Sequence, residues 1–340
     1  MIFIVFLKGM RRMTVQIKHF TNDFMKVTQM AALHTYSWIG RGNKIEADRA
    51  GTNAMRNVLN QLPIASTVVI GEGEMDEAPM LYIGEELGAG KELKVDLAVD
   101  PIEGTTLVSK GMHGALAVLA VAPKGTLLHA PDMYMKKIAC GKKAKGAICL
   151  EDSLKDNMHR VAKALGKQVN ELTVMIQDRP RHQQWIDDVH EEGARVKLFS
   201  EVDITGVLAT SIEQCEVDLF IGIGGAPEGV IAAVAQKGFN GDFQGQLLPQ
   251  TEQEYERCLQ MGVSDPKHIW LLDEIVKSED CLFSATGVTE GIILDGVKQI
   301  NEKKEMQTHS LIVSQNHIQF IVGNHEEEGL EIYEQTSKIG

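Results

Sequence analysis

The stretch Val95-Asp96-Leu97-Ala98-Val99-Asp100-Pro101-Ile102-Glu103-Gly104-Thr105-Thr106 gathers oxygen donors at its end: the carboxylates of Asp100 and Glu103 and the hydroxyls of Thr105 and Thr106. Val95, Leu97 and Val99 alternate with acidic or small residues, which is the period of a strand. Pro101 has a fixed φ and no N–H for a ladder, so the strand is expected to end at Asp100. Gly104 then permits a tight turn, and the two threonines can cap the next element. Oxygen ligands packed this way suit a hard cation such as Mg²⁺, which binds through a few carboxylates together with substrate phosphate. A Pro-Gly turn with solvated acids is the plainer alternative.

Other turns repeat the pattern. Thr67-Val68-Val69-Ile70 reads as a strand that runs into the acidic, glycine-flanked loop Gly71-Glu72-Gly73-Glu74-Met75-Asp76-Glu77. Glycines on both sides of Glu72 let the backbone turn sharply and bring that carboxylate close to another element. Asp48 falls in the first turn of an expected helix from about Ile45 to Leu62, where the macrodipole favours negative charge whether or not a ligand is involved. Arg179-Pro180-Arg181-His182 offers two guanidinium groups beside a proline, an expected phosphate fork. In Gly222-Ile223-Gly224-Gly225-Ala226-Pro227-Glu228-Gly229, Pro227 suits a first helical position and Glu228 the first turn. This turn is neither a Walker loop nor a dinucleotide fingerprint. Tyr134 fits either a ligand contact or the core.

The elements that must position these residues are set by periodicity. A helix is expected from Thr21 or Asn22, with Phe24, Val27, Met30, Ala31 and His34 at helical spacing and His34 read as a packed helix-face residue. Gly114 to Ala122 is an apolar run of strand length, and Pro123-Lys124-Gly125 is expected to return it through Thr126 to His129 as a hairpin. After Leu150 the chain alternates: a helix near Ser153, strand Leu172–Ile176, a helix after Pro180, strand Val196–Phe199, helix Ile204–Thr210 and strand Val217–Gly222. That is the rhythm of a mainly parallel sheet, whose ligands bind beyond the carboxyl ends of the strands. A helix from Glu252 to Met261, an extended Cys281–Ser284 and an antiparallel pair, Leu311–Val313 with Ile318–Val322, close the chain.

Bulk properties narrow the function classes. The chain has 340 residues, 44% of them hydrophobic, and a formal net charge of −13. That charge argues against sequence-independent nucleic-acid binding, which needs basic patches, although bound cations can reverse the local field for a phosphorylated metabolite. The five cysteines are scattered and include no Cys-x-x-Cys pair, as expected of thiols in a reducing compartment. The apolar run Met1 to Leu7 is too short to span a bilayer, and its Lys8, Arg11 and Arg12 come after it, opposite to a signal peptide. Met10 and Met13 are compatible with a later start. A cytoplasmic protein without nucleic-acid or membrane partners is expected.

Asp100-Pro101-Ile102-Glu103-Gly104-Thr105 resembles the signature of the lithium-sensitive, metal-dependent sugar and inositol phosphatases. Gly71-Glu72-Gly73-Glu74, Ala130-Pro131-Asp132-Met133-Tyr134-Met135, Pro180-Arg181-His182 and Gly222–Gly229 are similar to class II fructose-1,6-bisphosphatases of bacteria. The resemblance runs from about Asn22 to the last strands. It implies an α/β or α+β architecture, the layered αβαβα sugar-phosphatase fold, with a metal-binding sub-domain over 14–150, a second over 151–330 and the site between them. It implies Mn²⁺ or Mg²⁺ held by Asp48, Glu72, Asp100, Glu103 and Glu228, and catalytic roles for Lys44, Glu72 and Thr105. Contacts to a sugar bisphosphate would come from Glu103, Gly104, Thr105, Tyr134, Arg179, Arg181, Glu201, Asp203 and Gly225. The implied reaction is hydrolysis of fructose 1,6-bisphosphate in gluconeogenesis, by a homo-oligomer. Asn43 and Arg49 depart from the family's residues. The family's Asp-Gly-Asp turn is Glu201-Val202-Asp203 here, and valine resists the positive φ that glycine permits, so the sugar-binding turn is expected to differ. That departure motivates an alternative substrate such as sedoheptulose 1,7-bisphosphate; a non-catalytic sugar-phosphate-binding paralogue is the alternative of another class.

Overall fold

The structure is a computed structural model that describes residues 16–71, 81–301, 305–315 and 317–326. The apolar N-terminal run, the loop carrying Glu72 and the charged tail lie outside the described residues.

The strands are β1 (Ala65–Ile70), β2 (Glu86–Leu87), β3 (Lys94–Glu103), β4 (Leu116–Pro123), β5 (Tyr134–Cys140), β6 (Thr173–Gln177) and β7 (Arg195–Phe199), followed by β8 (Leu219–Gly225), β9 (Asp242–Leu247), β10 (Ile269–Leu271), β11 (Leu282–Gly287), β12 (Lys298–Gln299), β13 (Met306–Ser314) and β14 (His317–His325). The α-helices are α1 (Thr21–Tyr36), α2 (Lys44–Gln61), α3 (Thr105–Lys110), α4 (Leu154–Leu165), α5 (Gln183–Glu191), α6 (Asp203–Ala209), α7 (Ala226–Phe239), α8 (Glu252–Gln260) and α9 (Leu272–Ile275). An eight-stranded sheet runs β12-β13-β11-β4-β3-β1-β2 with β14 on the other side of β13, and a six-stranded sheet runs β10-β9-β5-β8-β6-β7.

Local capping explains several helix starts. Asn43 accepts a hydrogen bond from the Glu46 N–H, Ser153 from that of Asp156 and Thr251 from that of Glu254, which satisfies donors no helical carbonyl can reach. Asn43 thus does the capping job that an aspartate would do. Layering is decided by which faces are apolar. Helix α1 packs on β3, β4, β11 and β13, with α2 beside it. Helix α7 is apolar nearly all round and lies between the sheets, touching β3, β4, β11 and β13 on one side and β5, β8 and β9 on the other. In the second sheet β6 is buried along its whole length, whereas the edge strands β7 and β10 are partly exposed. Met135, Ala139, Met175 and Phe220 face the inner core, whereas Ile138, Val174, Ile176 and Ile221 face α4 and α5. The order helix, sheet, helix, sheet, helix is the expected layered fold.

Several local expectations change. β3 continues through Pro101 to Glu103, and its pairing with β4 shifts register between Asp100 and Glu103, an irregularity that accommodates the missing N–H. Residues 126–129 form no hairpin with β4, because β4 is paired on both sides by β3 and β11; Leu127 instead bridges Val276. The second sheet is mixed: β7, β6 and β8 are parallel, whereas β5, β9 and β10 join antiparallel.

Candidate active site and metal centre

The irregular end of β3 brings its two acids to one place. Asp100 Oδ1 accepts a hydrogen bond from the Ile102 N–H at 2.9 Å, which folds the backbone back on itself. Glu103, the last residue of the strand, is buried, and Gly104 at φ 92 turns the chain into α3. The third acid arrives from β8 and α7. Gly225 precedes the helix and Glu228 lies in its first turn, its carboxylate against the Gly225 Cα, where a Cβ would collide with Oε2. Asp100, Glu103 and Glu228 each present an oxygen within 4.8 Å of the others.

These carboxylates are poor anions as they stand. Burial raises the pKa of Asp100, and burial with the neighbouring Asp100 and Glu228 charges raises that of Glu103 well above the ordinary range. Glu228 is pushed up to about 7, by burial first and Asp203 second, with Lys137 opposing. Glu228 Oε2 is buried with no hydrogen-bond partner among the described residues. Clustered hard oxygens, mutual repulsion and a buried acceptor left open are what a divalent cation would satisfy, so these residues fit a metal of the Mg²⁺ or Mn²⁺ type.

The remaining candidates come from α2, α3, β5 and the turn after β6. Lys44, the first residue of α2, donates to Thr106 Oγ1 at 2.7 Å, and Thr105 Oγ1 donates to the Ile102 carbonyl at 3.2 Å. Asp48 lies on α2 three residues before Gly51, whose Cα faces Ile102. It is not one of the three carboxylates within 4.8 Å of one another. Arg49 is exposed and pairs with Glu46 on the same helix. Tyr134 is half-exposed at the start of β5, in register with Gly225, and the Arg181 guanidinium lies 5.2 Å from its ring centre. Arg181 also donates to the Ile223 carbonyl at 2.7 Å and to Gln177 Oε1 at 3.1 Å. Arg179 is half-buried beside it and reaches the Asp178 carbonyl at 3.4 Å. The third residue of that motif is internal: His182 Nδ1 lies 2.8 Å from the Gln177 carbonyl and Nε2 accepts from the Ile223 N–H at 3.0 Å. That pattern requires the neutral ring, which burial also favours by lowering its pKa.

The turn before α6 departs from expectation in the opposite sense. Val202 does adopt the left-handed conformation, φ 70 and ψ 70, so the turn is kept despite the missing glycine. A buried β-branched residue there costs on the order of 1–3 kcal/mol and persists only where the surroundings over-determine it. A Val202 methyl packs against the Gly104 Cα, tying this turn to the one at Glu103. Asp203 beside it is 8% exposed and pairs with Lys137, whose Nζ also donates to the Gly225 carbonyl at 2.6 Å. Lys137 is not legible as a site residue from motifs. Its signal is positional: it occupies an inner-core position of β5 between Met135 and Ala139, where the alternation calls for an apolar side chain.

A layered fold that gathers carboxylates at a strand end, with two arginines just beyond the end of β6, suits a metal-assisted phosphatase. The sequence matches the family described as bacterial fructose-1,6-bisphosphatase, glpX-encoded, over residues 18–325. It is 47% identical over 290 residues to fructose-1,6-bisphosphatase 1 class 2 of Escherichia coli K12, covering 82% of this chain and 86% of that protein. The class 2 enzyme of Haemophilus influenzae is 42% identical over 290 residues, with 82% and 87% covered. A Synechococcus sp. JA-3-3Ab protein, named D-fructose 1,6-bisphosphatase class 2/sedoheptulose 1,7-bisphosphatase, is 37% identical over 331 residues, with 90% and 95% covered. The chain belongs to the class II fructose-1,6-bisphosphatase family.

Proposed function

We propose that the chain hydrolyses fructose 1,6-bisphosphate to fructose 6-phosphate and phosphate, with Mn²⁺ or Mg²⁺, as a step of gluconeogenesis. The observation that carries the reading is the carboxylate trio Asp100, Glu103 and Glu228, drawn together from the end of β3 and the first turn of α7 beside Thr105. Phosphate-monoester hydrolysis is among the slowest uncatalysed reactions, so charge stabilisation must be large. When bound, the metal supplies Lewis-acid stabilisation of the phosphoryl oxygens and lowers the pKa of the attacking water.

The chain's own residues supply holding and orientation. Asp100, Glu103 and Glu228 hold the metal, with Asp48 and Glu72 completing the set. The Gly104-Thr105 turn receives the reacting phosphate, and Thr105 with Glu72 orients the water. Arg179 and Arg181 take the distal phosphate, so that binding far from the reacting bond fixes the geometry at it. Tyr134, Glu201, Asp203 and Gly225 surround the sugar. Lys44 places a cation beside the phosphate through Thr106.

The five cysteines are free thiols, which supports a reducing, cytoplasmic location. No helix among the described residues is long and apolar enough to cross a membrane. A homo-oligomer fits the exposed Ile318, Phe320 and Val322 in the uncharged strand β14, and light scattering tests it.

The first experiment is phosphate release from fructose 1,6-bisphosphate with Mn²⁺ or Mg²⁺, beside D100A and a panel including sedoheptulose 1,7-bisphosphate. Metal-dependent release that D100A abolishes supports the proposal. Release from the seven-carbon substrate alone moves the assignment to that sugar. A folded chain inert on every substrate returns it to a binding paralogue.

A further inference from the structure

We infer that Lys137 is a positioning residue: it holds the Glu201-Val202-Asp203 turn in its left-handed conformation and so aims Asp203 at the sugar. The inference rests on the sugar-bisphosphate reading and adds a residue to it. Three observations meet at this side chain.

The first is its place. Lys137 is 1% exposed, on the face of β5 that packs toward α7, where an unpaired ammonium would be costly. Its neighbours have been cleared for it. A Cβ at Gly224 would collide with Asp203 Oδ2 and lie 3.3 Å from Lys137 Nζ, so only glycine lets the ion pair lie along β8.

The second is what it touches. Its partners are Asp203 Oδ2 and the Gly225 carbonyl, groups 66 and 88 residues away in sequence. Both belong to turns that border the candidate sugar site, and Gly225 stands opposite Tyr134 in the β5–β8 ladder. One ammonium therefore fastens β5, the end of β8 and the start of α6 together.

The third is what it holds. Val202 immediately precedes Asp203 and is the one β-branched residue at positive φ among the described residues; the other non-glycine positions there are Glu216 and Asn240. Such a conformation needs outside support. The Lys137–Asp203 pair supplies it on one side and the packing of Val202 against Gly104 on the other. Without the ammonium, Asp203 would face Glu103 and Glu228 with no compensating charge, and the turn would relax away from them.

The test is a two-by-two comparison of K137M and V202G with fructose 1,6-bisphosphate at saturating Mn²⁺, with melting curves for all proteins. A Kd for the same sugar bisphosphate, from titration calorimetry, is measured alongside KM. K137M is expected to raise KM and Kd about tenfold or more, with a smaller change in kcat, as orientation of the sugar is lost. Glycine occupies positive φ without strain, so in the V202G background the same change is expected to raise KM roughly threefold or less. A merely structural lysine would lower the melting temperature and the active fraction while leaving KM in place. A K137M protein with KM and Kd within twofold of the unaltered chain overturns the inference, as does an equal effect in both backgrounds. If K137M does not fold, K137Q is read by the same criteria. An unaltered chain that neither binds nor hydrolyses the sugar bisphosphate defeats the proposed function itself, a result distinct from any difference among the variants.

Discussion

Two groups of charges lie close together in the fold, and they are compensated differently. Lys137 and Asp203 neutralise one another, and a second ammonium N–H goes to the Gly225 carbonyl. Asp100, Glu103 and Glu228 have no cation among themselves, and burial first, with repulsion from neighbouring carboxylates added at Glu103 and Glu228, raises their carboxyl pKa values. The pair is finished by the fold. The trio has room for a cation from outside, which is the contrast expected between a structural charge cluster and a ligand site.

The widest separation between the two regions is in activity. D100A is expected to lower metal-dependent phosphate release by about 10³-fold or more, because removing a ligand forfeits several kcal/mol of charge stabilisation; steady-state kinetics measures it. R181A removes charge-assisted bonds at the distal phosphate and is expected to raise KM by roughly tenfold to a hundredfold with a smaller change in kcat. A KM that stays put would place the distal phosphate elsewhere.

The contrast also predicts a pH dependence. A carboxyl whose folded pKa lies above its unfolded value contributes stability below the unfolded pKa, and that contribution is lost as pH rises through the folded pKa. For Glu228 the window runs from the ordinary glutamate value, about 4.3, to about 7. Metal-free protein in chelator is therefore expected to lose stability across that window. A divalent cation prefers the ionised trio, so the rise in melting temperature on adding Mn²⁺ should be small at the acid end and grow toward neutral pH. A constant increment would show that the trio is not the binding site. The smallest effect is expected at the exposed Arg49–Glu46 pair: R49A should change stability by no more than about 0.5 kcal/mol and leave the kinetics alone, as denaturant titration and the phosphate assay would show.

Legibility divides along the same line. The acids of the trio sit in turns whose proline and glycine are sequence neighbours, so the chemistry at Asp100, Glu103 and Glu228 can be read directly. Lys137 escapes such a reading because its meaning depends on a strand that has to be recognised first, and on a partner 66 residues away. Val202 defies its local preference for a related reason. Its intrinsic bias is against positive φ, but a buried ion pair and the Gly104 contact act on it together.

By itself, the sequence determined the helix start near Ser153, the acidic turn at Asp100 and Glu103 and the motifs that carry the family resemblance, because each depends on residues within a few positions of one another. Tertiary structure decided which strands share a sheet, placing β5 beside β8 and β9 and returning β11, β13 and β14 to β4. It also carried β3 through Pro101, left β4 without a hairpin and set Val202 in its left-handed turn. These are outcomes of long-range pairing and burial, in which a strand's partner or a charge's counterion outweighs the local preference of the residue concerned.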